Sequence, residues 1–149
     1  MATARTQTKI DRSTHTIRFE RSLAAPRAEV FEAWTNPKHV AQWWDPTGTP
    51  LQDCSIDLRP GGSFSFVMGS THAPPFTGVY KLIEKPSLLV FDANGAEGTV
   101  RLDEKSGATL MRVTIQCPSA EHLEMFIRLR VHEGTEQTME NLAAVVEAR

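Results

Sequence analysis

Apolar and polar residues alternate along much of the first two thirds of the chain. From His15 to Leu23, Ile17, Phe19 and either Ser22 or Leu23 oppose Arg18, Glu20 and Arg21, which predicts a strand with one wet face. Pro26 then supplies a backbone angle suited to a first helical position. Val30, Phe31 and Trp34 follow at helical spacing, so 26–35 reads as a short amphipathic helix. Asn36-Pro37 opens a second short helix carrying Val40, Trp43 and Trp44, and Asp45-Pro46 stops it. Cys54, Ile56 and Leu58 next oppose Asp53, Ser55 and Asp57. Pro60-Gly61-Gly62 breaks the run, and Phe64, Phe66 and Met68 oppose Ser63 and Ser65, giving a hairpin with one apolar face. Further strands are predicted over 76–84, 87–93, 99–103 and 108–117, separated by Lys85-Pro86, Asn94-Gly95 and Ser106-Gly107. Links this short demand antiparallel neighbours.

After Pro118 the period becomes helical. Leu123, Phe126, Ile127 and Val131, then Thr138, Leu142, Val145 and Val146, fall on one stripe, with Ser119 placed to cap its start. The prediction is one long helix of up to about 28 residues. Gly134 sits on its stripe, where glycine costs ~1 kcal/mol against alanine, so the helix kinks there or a neighbouring backbone or ligand needs the room. Gly134→Leu is accordingly expected either to overpack or to block a ligand. Residues 1–14, with Ile10 their one large apolar residue after the initiator, read as a flexible tail ahead of a single domain over 15–149. The fold class is α+β: a curved antiparallel sheet of about seven strands, two short helices after the first strand, and a long C-terminal helix that the sheet must wrap.

Composition narrows the function. The chain has 149 residues, 40% hydrophobic and 23% charged, as expected of one ordinary domain. Sixteen basic and eighteen acidic residues give a net charge of −2 with no block of like charges, so neither nucleic acid nor an anionic membrane surface is an expected partner. Cys54 and Cys117 are far apart and have no CxxC spacing, so they read as reduced, buried thiols of a cytoplasmic protein. No apolar run approaches the ~18 residues of a membrane span, and the N-terminus lacks the apolar stretch of a signal peptide. His15, His39, His72, His122 and His132 show neither i, i+4 pairing nor HExxH, so no metal or covalent cofactor is implied.

Five segments carry a family resemblance. They are Ala25-Pro26-Arg27-Ala28-Glu29-Val30-Phe31-Glu32-Ala33-Trp34-Thr35, the WWxP stretch ending Trp43-Trp44-Asp45-Pro46, the turn Asp57-Leu58-Arg59-Pro60-Gly61-Gly62-Ser63-Phe64, the strand pair Gly78-Val79-Tyr80 with Pro86-Ser87-Leu88-Leu89, and the closing helix from Glu133-Gly134-Thr135 to Leu142. In this order they resemble the helix-grip fold of the START-like (SRPBCC) superfamily, in the branch similar to the C-terminal domain of the activator of the ninety-kilodalton heat-shock protein ATPase. Many members carry tryptophan where this chain has Thr135.

The resemblance implies space between the last helix and the sheet, a common place for apolar ligands. Adjacent helical positions point about 100° apart, so one of Trp43 and Trp44 can face the core while the other lines a rim. Phe64, Phe66, Met68, Tyr80, Phe91 and Met111 are the expected sheet wall. Leu123, Phe126, Ile127 and Gly134 face them from the helix. Arg130, between Ile127 and Val131, is a candidate anchor for a ligand carboxylate. The expected function is non-catalytic binding of a small hydrophobic or amphipathic molecule, lipid-like or polycyclic, by a monomer or homodimer. Two alternatives stand beside it. The resemblance suggests a chaperone partner, as in a regulator of a heat-shock protein ATPase. A cyclase- or hydratase-type enzyme would need an acid in the cavity, for which Asp57 and Glu84 are the candidates.

Overall fold

Eight strands hydrogen-bond into one open antiparallel sheet in a computed structural model that describes residues 5–148. Along the chain the elements are β1 (Gln7–Asp11), β2 (Thr16–Leu23), α1 (Arg27–Thr35), α2 (Pro37–Trp43), β3 (Asp53–Ile56), β4 (Ser63–Val67), β5 (Phe76–Glu84), β6 (Leu88–Ala93), β7 (Ala96–Lys105), β8 (Ala108–Gln116), α3 (Ala120–Arg128) and α4 (Val131–Glu147). The sheet order is β1-β2-β8-β7-β6-β5-β4-β3. The helices cover its apolar face, α4 packing on β2, β1, α1 and α2, which is the expected helix grip. No helix among the described residues is long and apolar enough to cross a membrane.

Local chemistry sets the boundaries. Pro26 stands extended just before α1, and the Asn36 side chain accepts from Lys38 N to cap α2. Ser119 Oγ accepts from His122 N at 3.1 Å and caps α3. Asp45 ends the second helix as a buried carboxylate taking hydrogen bonds from Thr47 N, Thr47 Oγ1 and Ser70 Oγ.

Three expectations need correction. The segment 7–11 is not a loose tail: it pairs along β2 from Gln7↔Glu20 to Asp11↔Thr16, and half-buried Ile10 packs on the core. Strand pairing satisfies backbone groups without needing many apolar side chains, which is why composition hid it. The sheet therefore has eight strands; residues 1–4 lie outside the described ones. The second correction concerns Arg21, expected on the wet face of its strand. It shares the covered face with Ile17, Phe19 and Leu23 and is 6% exposed. Its Nε and Nη2 reach Glu140 of α4 at 2.9 and 3.2 Å.

The third concerns the long helix, which is two helices. Arg130 adopts left-handed angles (φ 58°, ψ 35°), so α3 ends and α4 restarts there, four residues before Gly134. The apparent single stripe is two stripes. Leu123 and Phe126 are buried from α3; Met139, Leu142, Ala143 and Val146 are buried from α4; Leu129 between them is 68% exposed.

The Arg21–Glu140 pair makes a checkable prediction. Burial alone would raise the Glu140 carboxyl, but the hydrogen bonds from Arg21 and Thr6 outweigh it and hold it below its ordinary value. Folding thus favours the ionised form. This stability is present above the unfolded pKa of about 4.3 and is lost as the pH falls through the lower folded value. Glu140→Gln should reduce unfolding free energy by about 1–3 kcal/mol at neutral pH, less than a fully buried pair would because the carboxylate is partly exposed. In urea titrations from about pH 7 to about pH 3, the variant should lose stability less steeply than the native protein. Parallel curves would show that the pair contributes nothing.

Candidate functional site

The inner face of the sheet carries an aromatic row built over glycine. A Cβ on Gly78 would fall 2.3 Å from Phe64 Cζ, and one on Gly98 would fall 2.5 Å from Phe91 Cζ, so both rings lie flat where a side chain is missing. Phe64 and Phe91 meet edge to face at 5.6 Å. Phe66, Phe76 and Tyr80 pack around Phe64 with centroids 5.0, 5.8 and 5.1 Å away. Trp44 joins through Phe66 and Phe76 and links the row to Trp43 and Trp34.

Beside this row lies a cavity of about 340 Å³. Trp44, Pro46, Met68 and Phe76 line part of it. The sheet contributes Phe91, Ala93, Gly98, Val113 and Ile115, and the helices contribute Phe126, Val131, Gly134, Thr135, Thr138 and Met139. The space exists because the facing residues are small: Ala93 pairs with Ala96 across β6 and β7, Phe91 pairs with Gly98, and Gly134 stands opposite. Only Pro46 Cγ, at 3.9 Å, would come within reach of a Cβ at Gly134.

Of the expected wall residues, the structure brings Trp44, Met68, Phe91, Phe126 and Gly134 to the cavity. Trp43, Phe64, Phe66 and Tyr80 are buried in the aromatic row, around a gap of only about 10 Å³. Met111 is buried under Trp34, accepting from its Nε1 at 3.4 Å, while Leu123 is packed in the core and Ile127 against it. Arg130 is no anchor: its side chain is 79% exposed, 3.7 Å from Glu133, because the left-handed turn at this residue swings it outward. Sequence reasoning missed Thr135, Thr138 and the small residues Ala93, Ala96 and Gly98. The signal was present in their size at inward strand positions.

The polar groups on the wall are few. Thr135 Oγ1 donates to Val131 O and Thr138 Oγ1 donates to Thr135 O, both at 2.8 Å. Trp34 and Trp43 donate their indole N–H to Met111 Sδ and Ala33 O; Trp44 has no acceptor among the described residues. No wall residue is ionisable. Asp57 pairs with Arg59 in an exposed turn and Glu84 is exposed on β5, so neither candidate acid reaches the cavity. Burial pushes the Cys54 thiol up to about 11, with Asp53 adding to the shift, and raises Cys117 as well, so both thiols stay protonated near neutral pH. Among the described residues no cluster of His, Cys, Asp or Glu could hold a metal ion.

Comparison with known proteins agrees with this architecture. Residues 24–147 match the model of the family described as Activator of Hsp90 ATPase homolog 1-like protein. A crystal structure of a Mycobacterium smegmatis protein superposes with a TM-score of 0.83 at 20% identity, covering 98% of this chain and 99% of that one. A Nitrosomonas europaea protein gives 0.82 at 21% identity over 89% and 94% of the two chains. A solution structure from Aeromonas hydrophila, itself called AHSA1-like, gives 0.71 at 22% identity over 88% and 92%. No curated protein matches this sequence.

Two glycines on the wall should respond oppositely to the same change. Gly134→Ala meets open space and gains helix propensity, so stability should rise by about 0.5–1 kcal/mol. Gly98→Ala drives a methyl into the Phe91 ring and should cost about 1–3 kcal/mol. Chemical denaturation of both variants checks this, and a destabilised Gly134→Ala would show that a close backbone contact dictates the glycine.

Proposed function

The chain belongs to the family of Activator of Hsp90 ATPase homolog 1-like proteins, and from that premise we propose that it is a non-catalytic binding module for a small, largely apolar molecule held between α4 and the sheet. The observation that carries this reading is the cavity of about 340 Å³ with no ionisable side chain on its wall. That volume lies in the usual range for small-molecule sites, roughly 300–1,000 Å³, and the composition is the usual one of apolar walls with a few polar groups. A core built for stability alone would close such a space, because each unfilled volume forfeits dispersion contacts. The small residues that keep it open are spread over β6, β7 and α4.

Binding should be visible as a rise in melting temperature and as a change in Trp44 fluorescence, with neutral apolar compounds screened in excess. A Cβ at Gly134 meets open space, so Gly134→Leu should fill the cavity from the helix side, keep the fold and weaken binding at least tenfold. Failure of every compound to bind, or equal affinity in the variant, removes the proposal.

The family description favours a second reading, regulation of an Hsp90-type ATPase. It predicts that stoichiometric addition of the protein changes the hydrolysis rate of that chaperone from the same organism. An unchanged rate removes it.

A further inference from the structure

The wall's polar groups go further and select the charge of what it holds; this rests on the binding function proposed above. We propose that the cavity takes a neutral, ring-bearing compound and rejects anionic amphiphiles, fatty acids included.

The first ground is the absence of a counter-charge. No Lys, Arg or His stands on the wall, and both arginines at the α3–α4 junction, Arg128 and Arg130, are exposed to solvent. An anion drawn into the cavity would give up its hydration with no cation in return, and an unpaired buried charge is among the most unfavourable arrangements in a protein. Second, the two hydroxyls on the wall are committed as donors. Thr135 and Thr138 both give their protons to carbonyls of α4, so only their lone pairs remain for a ligand. Lone pairs repel a carboxylate and accept from a phenol, an alcohol or an amine. The Trp44 N–H and the Asn94 amide are neutral donors and cannot replace a cation.

Third, the charged residues adjacent in sequence to the wall are mostly acidic. Glu133 and Glu136 bracket Gly134 and Thr135 on α4, while Asp92 and Glu97, paired across β6 and β7, lie on the outer face of the sheet. Lys81, on that outer face, is already paired with Glu97 at 2.6 Å and approaches Asp92 at 3.8 Å, and the His122 ring packs against Gly95 and Phe126 outside the wall. The preference for rings follows from the wall itself, where Trp34, Trp44, Phe76, Phe91 and Phe126 present aromatic surface. Offset and edge-to-face contacts add to area burial for a ring but not for an alkyl chain.

A matched pair of probes tests the charge rule. N-phenyl-1-naphthylamine and 8-anilino-1-naphthalenesulfonate share one ring skeleton and one N–H, and differ by a sulfonate. Fluorescence titrations with the native chain and with Gly134→Leu define the cavity component as the part the variant removes. The expected result is a cavity component for the naphthylamine and an affinity at least about tenfold weaker for the sulfonate. Cavity affinities within tenfold of each other would overturn the charge rule and leave ligand binding intact. No cavity component for either probe would overturn both.

Discussion

A guanidinium on the covered face of a sheet has to meet an anion, and the meeting of Arg21 with Glu140 decides where the last helix lies. With Glu140 held over β2, Leu142, Ala143 and Val146 fall on the core, and the preceding turns of α4 are carried toward β6, β7 and β8. Asn141 fixes the other flank by donating to Asp45 O at 3.0 Å, and Asp45 is itself buried and fully engaged. Adjacent residues thus grip the sheet on one side and the second short helix on the other. The polar pair is less a source of net stability than a device for placement, since an apolar pair of like volume would pack without fixing a register.

Held in this way, α4 has two unlike halves. From Met139 onward it is packed like any core helix, whereas from Val131 to Thr138 it roofs a cavity with Gly134, Thr135 and Thr138. The roofing half begins at a left-handed arginine, follows an exposed Leu129 and faces open space where the rest of α4 has packed contacts. Local stability tracks such contacts, and a binding site placed under the less restrained half can admit a molecule without disturbing the core.

Most of the fold was legible because it rests on short-range signals. Alternation located the strands, Asn36-Pro37 and Ser119 marked helix starts, and turn residues placed the hairpins. What stayed hidden depends on partners distant in sequence. Arg21 looked wet because its partner lies 119 residues away, and the break at Arg130 carries no glycine or proline to announce it. The cavity was half legible for a related reason. Large aromatic residues drew the eye, yet Phe64, Phe66 and Tyr80 fill their space, and the opening lies where Ala93, Ala96 and Gly98 do not.

The first strand has a bearing on solution behaviour. An open sheet ends in two unpaired edges, each a template on which another chain can assemble. At one end β3 is only four residues long, between Pro50 and Pro60, which limits what it can recruit. At the other, β2 is eight residues long and carries Ile17, Phe19 and Leu23 on its covered side, a long edge along which another chain could pair. It is covered by β1, whose own free edge carries Lys9 and Asp11. The segment 7–11 therefore acts as a sheath: it contributes little to the core, but it replaces a long, adhesive edge with a short, charged one.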